Sequence, residues 1–292
     1  MPELPEVETL RRCLSPLVAG RPVVSVDVLD SRIFAAPPAV INDQLTGHRI
    51  DRVARRGKVL ILFLREAGSL LIHPRMTGQI VVTAAGMTVL AGGHPTPSLL
   101  GPMPGPTTRV ILALDEASSL YYNDSRRFGW IRLASDAPCA DDPFLRRLGP
   151  EPLTGAFTVA VLRAGITRHA RAPVKAVLLN QAVVAGIGNV YADECLYHAR
   201  IHPGRRAGDL SMQEIRRLHG AIQAVLRAAI ATGGTSFAGY INDFRGWTGY
   251  LDHAAVFRRQ GQPCRRCGTK ILATKIAGRR TRFCPRCQPE AP

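Results

Sequence analysis

The last 29 residues place the tightest limit on what this 292-residue chain can become. Cys264-x2-Cys267 and Cys284-x2-Cys287 stand sixteen residues apart, the spacing of a structural Zn2+ site made of four thiolates. A segment this short cannot bury a core of its own, so metal binding has to supply its folding free energy. Paired in this way, the cysteines read as a metal site in a reducing compartment and not as a disulfide framework. From Arg258 to Cys287 there are ten Lys or Arg and no acid. The expected ribbon is therefore basic and suited to gripping nucleic acid. A ribbon that docks protein partners would satisfy the same spacing.

The charge of the whole chain points the same way. Its 38 Lys and Arg against 22 Asp and Glu leave a net +16 at pH 7, a balance that favours a polyanionic partner. No apolar run reaches the ~18 residues that a membrane span needs. Glu3, Glu6 and Glu8 stand where an export signal would be basic, so neither a membrane role nor export is expected.

Hydrophobic periodicity divides the chain. Residues 1–135 open on a helical stripe, Leu4, Val7, Leu10, Leu14 and Leu17, started by Pro5 and stopped by Pro16 and Gly20. From Val23 the pattern changes to short Val-, Ile- and Leu-rich strands, as in an all-β sandwich or barrel. The Gly- and Pro-rich stretch from Ala84 to Thr108 reads as a long surface loop. Residues 136–150 are the expected linker. Residues 151–256 carry helical spacing in VAVLRAGI, APVKAVLLNQAVVA, NVYADECLYHARI and a long segment with a capping box, Ser211 with Glu214, closed by Gly233-Gly234. Residues 257–292 form the ribbon.

Several residues carry chemistry. Removal of Met1 would leave a prolyl nitrogen at Pro2. An α-amine has a pKa near ~7.8, so on the order of a tenth of it is unprotonated at pH 7. Such an amine can attack a sugar aldehyde carbon and form a Schiff base. Glu3 beside it is a ready proton acceptor or donor, and Glu6 shares the first helical turn. A frayed terminus looks the same on paper. Lys58, after Arg55-Arg56-Gly57, suits a phosphate contact or a solvated basic face. HPRMTG (73–78) and NDSRRFG (123–129) set Met76 and Phe128 beside Arg75, Arg126 and Arg127. Apolar tips next to cations are what a protein that flips a base out of duplex DNA needs, although ordinary packing uses the same residues. Gly186-Ile187-Gly188-Asn189, opening onto a helix, presents amides to a phosphate, and Lys175 on the preceding helix is a further candidate.

Taken together, MPELPEVE, RRGK, HPRMTG, NDSRRFG, VVAGIGNVYADE and a four-cysteine ribbon ending in CPRCQ resemble the bacterial formamidopyrimidine-DNA glycosylase (Fpg, 8-oxoguanine DNA glycosylase) family. The resemblance runs in order over essentially the whole chain. It implies an α+β multidomain fold: an N-terminal β-sandwich with flanking helices, then a helix-two-turn-helix module with a four-cysteine zinc finger. It implies a bifunctional DNA glycosylase and abasic-site lyase of base excision repair, acting through a Schiff base and β,δ-elimination. Leu4, where the endonuclease VIII branch usually has Gly, points to oxidised purines. By position, the nucleophile falls on Pro2 and the general acid/base on Glu3. Proton donors for β- and δ-elimination fall on Lys58 and on Arg279, which also contacts phosphate. DNA-binding positions fall on Glu6, His73, Met76, Arg126, Arg127, Phe128, Lys175 and Asn189, with Met76, Arg126 and Phe128 filling the gap left by the flipped base. Cys264, Cys267, Cys284 and Cys287 would hold one structural Zn2+. The implied partner is duplex DNA with oxidised purines or abasic sites, met by a cytoplasmic, nucleoid-associated monomer. Pro74, Ser125 and the Thr107-Thr108-Arg109 run depart from the family's usual residues. Lesion choice is expected to depend on the loop 236–256. A zinc-ribbon nucleic-acid-binding protein without catalysis would account for the charge and the ribbon, but not for the Pro-Glu start or for wedge residues on two loops.

Overall fold

The computed structural model describes residues 1–34, 37–94, 101–134, 141–235 and 249–290. These fall into two compact units, Met1–Arg146 and Arg147–Thr235 with 249–290. The first unit begins with helix α1 (Leu4–Val18), whose stripe Leu4, Val7, Leu10, Leu14 and Val18 is fully buried. Pro16 sits inside its last turn, and the helix closes at Val18, where the Ala19 amide caps the Ser15 carbonyl at 3.0 Å. A second helix, α2 (Pro38–Leu45), lies between strands β1 (Ser25–Val28) and β2 (Ile50–Arg56).

The strands form two antiparallel sheets. After β2 come β3 (Val59–Leu64), β4 (Gly68–His73), β5 (Gly78–Ala84), β6 (Met87–Gly93), β7 (Thr108–Ala113), β8 (Ser118–Asp124) and β9 (Trp130–Ala134). One sheet has the order β1-β7-β8-β5-β6 and the other β2-β3-β4-β9. A single core fills the space between them, with Leu60, Leu62, Ile72, Ile80, Val110, Leu120 and Ile131 joined by Leu10 and Leu14 of α1. Each such side chain stabilises the fold by roughly 1.5–3 kcal/mol.

The stretch expected to be a loop from Ala84 onward is a strand over Met87–Gly93, paired antiparallel with β5 with a register shift between Val82 and Thr83. Its one apolar run is short and ends in Gly92-Gly93, which hid the alternation. Gly93 is needed there, since a Cβ would lie 2.3 Å from the Gly78 carbonyl oxygen.

The chain changes sheets twice at one place. The 74–77 connection leads from β4 to β5, and the 125–129 connection leads from β8 back to β9. Register sets the crossings side by side: Gly78 faces Asp124, and His73 faces Trp130. These crossings are HPRMTG and NDSRRFG.

A short helix α3 (Pro143–Arg146) ends the first unit. The second holds α4 (Val159–Arg168), α5 (Val174–Leu179), α6 (Asn189–Ala199), α7 (Met212–Ala231) and α8 (Tyr250–His253), then the hairpin β10 (Leu272–Ile276) and β11 (Arg279–Phe283). Ser211 and Glu214 cap α7 reciprocally, at 2.9 and 3.2 Å. The helix expected to run from Ala172 to Ala185 stops at Leu179. Gln181 breaks it by donating to the Ile187 carbonyl at 2.8 Å and accepting the Gly186 amide at 2.9 Å, which fixes the turn before α6. Among the described residues, no helix is long and apolar enough to cross a membrane.

Candidate functional site

Pro2, Glu3 and Glu6 are all buried, so this terminus is packed and not frayed. The Glu3 amide donates to Glu6 Oε2 at 2.9 Å, the returning half of a capping box. Glu8, one turn on, pairs with Arg11 and Arg12 at 2.9 Å each and with Arg55 of β2 at 3.2 Å. Desolvation would raise Glu8, but the hydrogen bonds from Arg11 and Arg12 and the Arg55 charge outweigh it and hold the carboxyl down to about 2. Arg55 also donates to the Gly57 carbonyl at 2.8 Å. One guanidinium therefore ties the first turns of α1 to the turn that delivers Lys58, which is itself buried. Arg55 is not part of a solvated basic face: its side chain is 9% exposed.

His73 ends β4 against the rings of Trp130 and Phe144, with centroids at 5.4 and 5.5 Å. Its Nδ1 accepts the Arg75 amide at 3.0 Å. Burial, then the charges of Arg75 and Lys58, press its pKa down to about 3. The imidazole is therefore neutral, and with Nδ1 accepting, Nε2 carries the hydrogen and can donate to an anion.

On the two crossings the expected wedge residues stand together. Met76 and Phe128 are 38% and 51% exposed. The Arg126 guanidinium lies 4.6 Å from the Phe128 ring centroid, and its Nη1 is 3.8 Å from Met76 Sδ. Arg127, left-handed at φ 58°, turns away and pairs with Asp30 at 2.8 Å, so the two adjacent arginines part company. Beneath them lies Asp124, fully buried. It accepts the Thr77 hydroxyl, the Arg126 amide at 3.2 Å and the Gly129 amide at 2.8 Å. His94, at the end of β6, has a pKa lowered by burial and then by the charges of the terminal amine and of Arg126. The terminus and the wedge thus share one end of the sandwich. Arg55, Thr77 and Asp124 lie inside the RRGK, HPRMTG and NDSRRFG stretches but were given no such role there, and His94 was not singled out, because their partners are set by strand pairing and not by local spacing.

In the second unit, Asn189 opens α6 after Gly186, which takes φ 89°. Its side-chain amide donates to the Arg280 carbonyl at 3.1 Å. Lys175 departs from the expected phosphate contact. It has no exposed surface, and its ammonium meets Asp193 at 2.7 Å, the Thr281 hydroxyl at 2.7 Å and the Arg280 carbonyl at 3.2 Å. In this arrangement it joins the helices to the ribbon. Its partner Asp193 lies on the next helix, out of reach of any local sequence pattern. Arg279 stands exposed at the turn of the β10–β11 hairpin.

The sulfurs of Cys264, Cys267, Cys284 and Cys287 all lie within 4.8 Å of one another. Cys264–Cys287 and Cys267–Cys284 are 3.9 and 3.5 Å apart, against about 3.8 Å between thiolates around a tetrahedral Zn2+. The donor set fits one structural zinc and leaves no open coordination position. The ribbon is seated from both ends. Buried Glu194 of α6 accepts the amides of Ala255, Val256 and Phe257 at 2.8–2.9 Å. Gln288 accepts the Cys284 amide and donates to the Ile201 carbonyl, both at 2.9 Å.

Comparison with known proteins agrees with this layout. The chain matches the formamidopyrimidine-DNA glycosylase N-terminal domain over residues 1–131 and the H2TH domain of that enzyme over 148–239. It matches the zinc finger found in FPG and IleRS over 261–289. It is 44% identical to a formamidopyrimidine-DNA glycosylase of Symbiobacterium thermophilum, over 99% of this chain and 90% of the relative. For the enzyme of that name from Geobacillus kaustophilus the figures are 40%, 99% and 100%. Among solved structures, MutM (Fpg) of Thermus thermophilus superposes with a TM-score of 0.81 at 37% identity, covering 100% of both chains. A Lactococcus lactis Fpg bound to DNA containing an abasic site superposes at 0.84 and 32% identity, over 98% of this chain and 99% of the other. By sequence, domain order and architecture, the chain belongs to the formamidopyrimidine-DNA glycosylase family.

Proposed function

We propose that this protein is a bifunctional DNA glycosylase and abasic-site lyase that removes oxidised purines from duplex DNA. The observation that carries the reading is the burial of Pro2, Glu3 and Glu6 at the start of α1, on the same end of the sandwich as an assembled Met76/Arg126/Phe128 wedge. Relatives in this family have been solved with DNA containing Fapy-dG or an abasic site.

The chemistry follows from the groups available. With Met1 removed, Pro2 presents a secondary amine at a helix N-terminus, where the dipole disfavours its protonated form. Its lone pair attacks C1′ of the flipped nucleotide, and the base leaves with the glycosidic electron pair. Opening of the sugar ring gives an iminium ion on Pro2. Loss of a proton from C2′ expels the 3′ phosphate, and a second elimination expels the 5′ phosphate. Hydrolysis of the remaining iminium regenerates the amine. Glu3 handles protons at the sugar, and Lys58 and Arg279 assist the two eliminations as proton donors. Glu6 anchors the terminus through the Glu3 amide. Neutral His73, Lys58, Asn189 and exposed Arg279 meet phosphates. Lys175 contributes through the ribbon it holds. Zinc, bound by the four cysteines, keeps the ribbon folded and takes part in no step.

Borohydride trapping on an abasic duplex tests the nucleophile. The wild type should give a covalent adduct, and Pro2→Gly or an uncleaved N-terminal extension should abolish or strongly reduce it. An undiminished adduct in both, or an intact mass that retains Met1 in active protein, would move the nucleophile from Pro2 to another amine, and a wild type that gives no adduct would leave only a zinc-ribbon DNA-binding protein. Nicking of duplexes with 8-oxoguanine, an oxidised pyrimidine or an abasic site separates the lesion classes. The 236–248 part of the loop expected to choose among them lies outside the described residues.

A further inference from the structure

We infer that Asp124 is the positioning residue of the wedge, a clasp that fastens the two sheet crossings into one rigid element before DNA arrives. This rests on the glycosylase reading above. Met76 comes from the 74–77 crossing, while Arg126 and Phe128 come from the 125–129 crossing, so nothing in the local chain obliges them to meet. Sheet register brings the two crossings side by side, and Asp124 ties them together there. One carboxylate oxygen takes the Thr77 hydroxyl from the first crossing and the Arg126 amide from the second. The other takes the Gly129 amide at 2.8 Å. The Thr77 hydroxyl oxygen in turn accepts the Arg126 amide at 3.2 Å, which closes a small ring of hydrogen bonds across the crossings.

The surroundings leave the clasp little play. Asp124 and Thr77 are buried, and a Cβ at Gly129 would lie 1.8 Å from the Tyr122 hydroxyl and 3.0 Å from Asp124 Oδ2. The Arg109 guanidinium donates to the Asp124 backbone carbonyl at 3.0 Å. A carboxylate without exposure is costly unless its oxygens are satisfied, and here the satisfying donors belong to the loops that carry the wedge. The consequence is energetic. Inserting side chains into a duplex requires unstacking a base step. A wedge ordered in advance avoids the further cost of freezing two independent loops at that moment.

Asp124→Asn tests the clasp, because it keeps the shape but turns one acceptor into a donor facing other donors. Two rates are compared: incision of an 8-oxoguanine duplex and incision of a single-stranded oligonucleotide with an abasic site, where no base or opposite strand has to be displaced. The ratio of duplex to single-strand rate should fall at least tenfold. The fluorescence rise of 2-aminopurine placed opposite the lesion should fall with it. Thr77→Val, which removes the same bond from its other end, should shift the ratio in the same direction, and Thr77→Ser should restore it to within threefold. An unchanged ratio in Asp124→Asn and Thr77→Val would overturn the inference. So would a fall of both rates together at constant ratio, the mark of a generally loosened fold. Should Asp124→Asn not fold, the Thr77 pair decides. If the wild type cuts neither substrate, the glycosylase reading fails by itself, and the 2-aminopurine signal of wild type against Thr77→Val still judges the clasp.

Discussion

At the scale of a residue, His73 shows how burial and neighbouring charge fix a protonation state. Its pKa is pressed to about 3 in the folded chain, against about 6.5 for an unperturbed imidazole. The sign follows from the direction. Between those values the unfolded chain binds the proton and the folded chain does not, so stability is complete above about pH 6.5 and is lost as pH falls toward 3. Each pH unit in that window withdraws up to about 1.4 kcal/mol from this group alone. Urea midpoints of the wild type and of His73→Gln, taken at pH 7 and pH 5, should show the wild type losing stability more steeply by roughly that amount per unit. Equal slopes would mean that His73 is not held neutral. An imidazole that stays neutral offers the same Nε2–H donor throughout that window.

At the scale of elements, the contact between α5, α6 and β11 rests on a buried ion pair. Lys175→Met would leave Asp193 buried without its counter-charge, a change that typically costs about 3–5 kcal/mol. The double variant Lys175→Met/Asp193→Leu should recover most of that loss, and chemical denaturation of the three variants checks it. Recovery in the double variant would separate a structural pair from a group needed for its charge. The same pair marks the limit of what could be read in advance. Lys175 and Asp193 lie on different helices with the Gly186–Asn189 turn between them, and neither position betrays the other. The two sheets, α1, the α7 capping box and the cysteine spacing were legible because each repeats a period or a fixed interval. β6 was not, since its alternation is short and ends in glycines. The early stop of α5 was not, because apolar spacing continues through Val183 and Val184 while Gln181 turns the backbone. The wedge residues were visible as residues, but Asp124, which joins them, required the β5–β8 register.

At the scale of the whole molecule, the first unit holds the candidate chemistry and the second holds much of the candidate grip. Removing zinc with a chelator should unfold the ribbon and abolish tight DNA binding, with helical content retained in α4, α6 and α7. Circular dichroism and a binding titration before and after re-addition of Zn2+ test this. Arg279→Ala, at the exposed turn of the hairpin, should weaken binding and reduce the dependence of log K on log salt by roughly one ion. An unaltered slope would remove Arg279 from the interface.

The buried amide of Gln288 adds a consequence for genetics. It follows the last thiolate directly and adds one clip, to the carbonyl of Ile201, to those that hold the metal-bearing hairpin. A nonsense mutation just after Cys287 would spare every ligand and still remove this clip, leaving the finger seated by Glu194, Asn189 and Lys175. Such an allele would look harmless to a metal assay and show itself instead as a weaker hold on DNA.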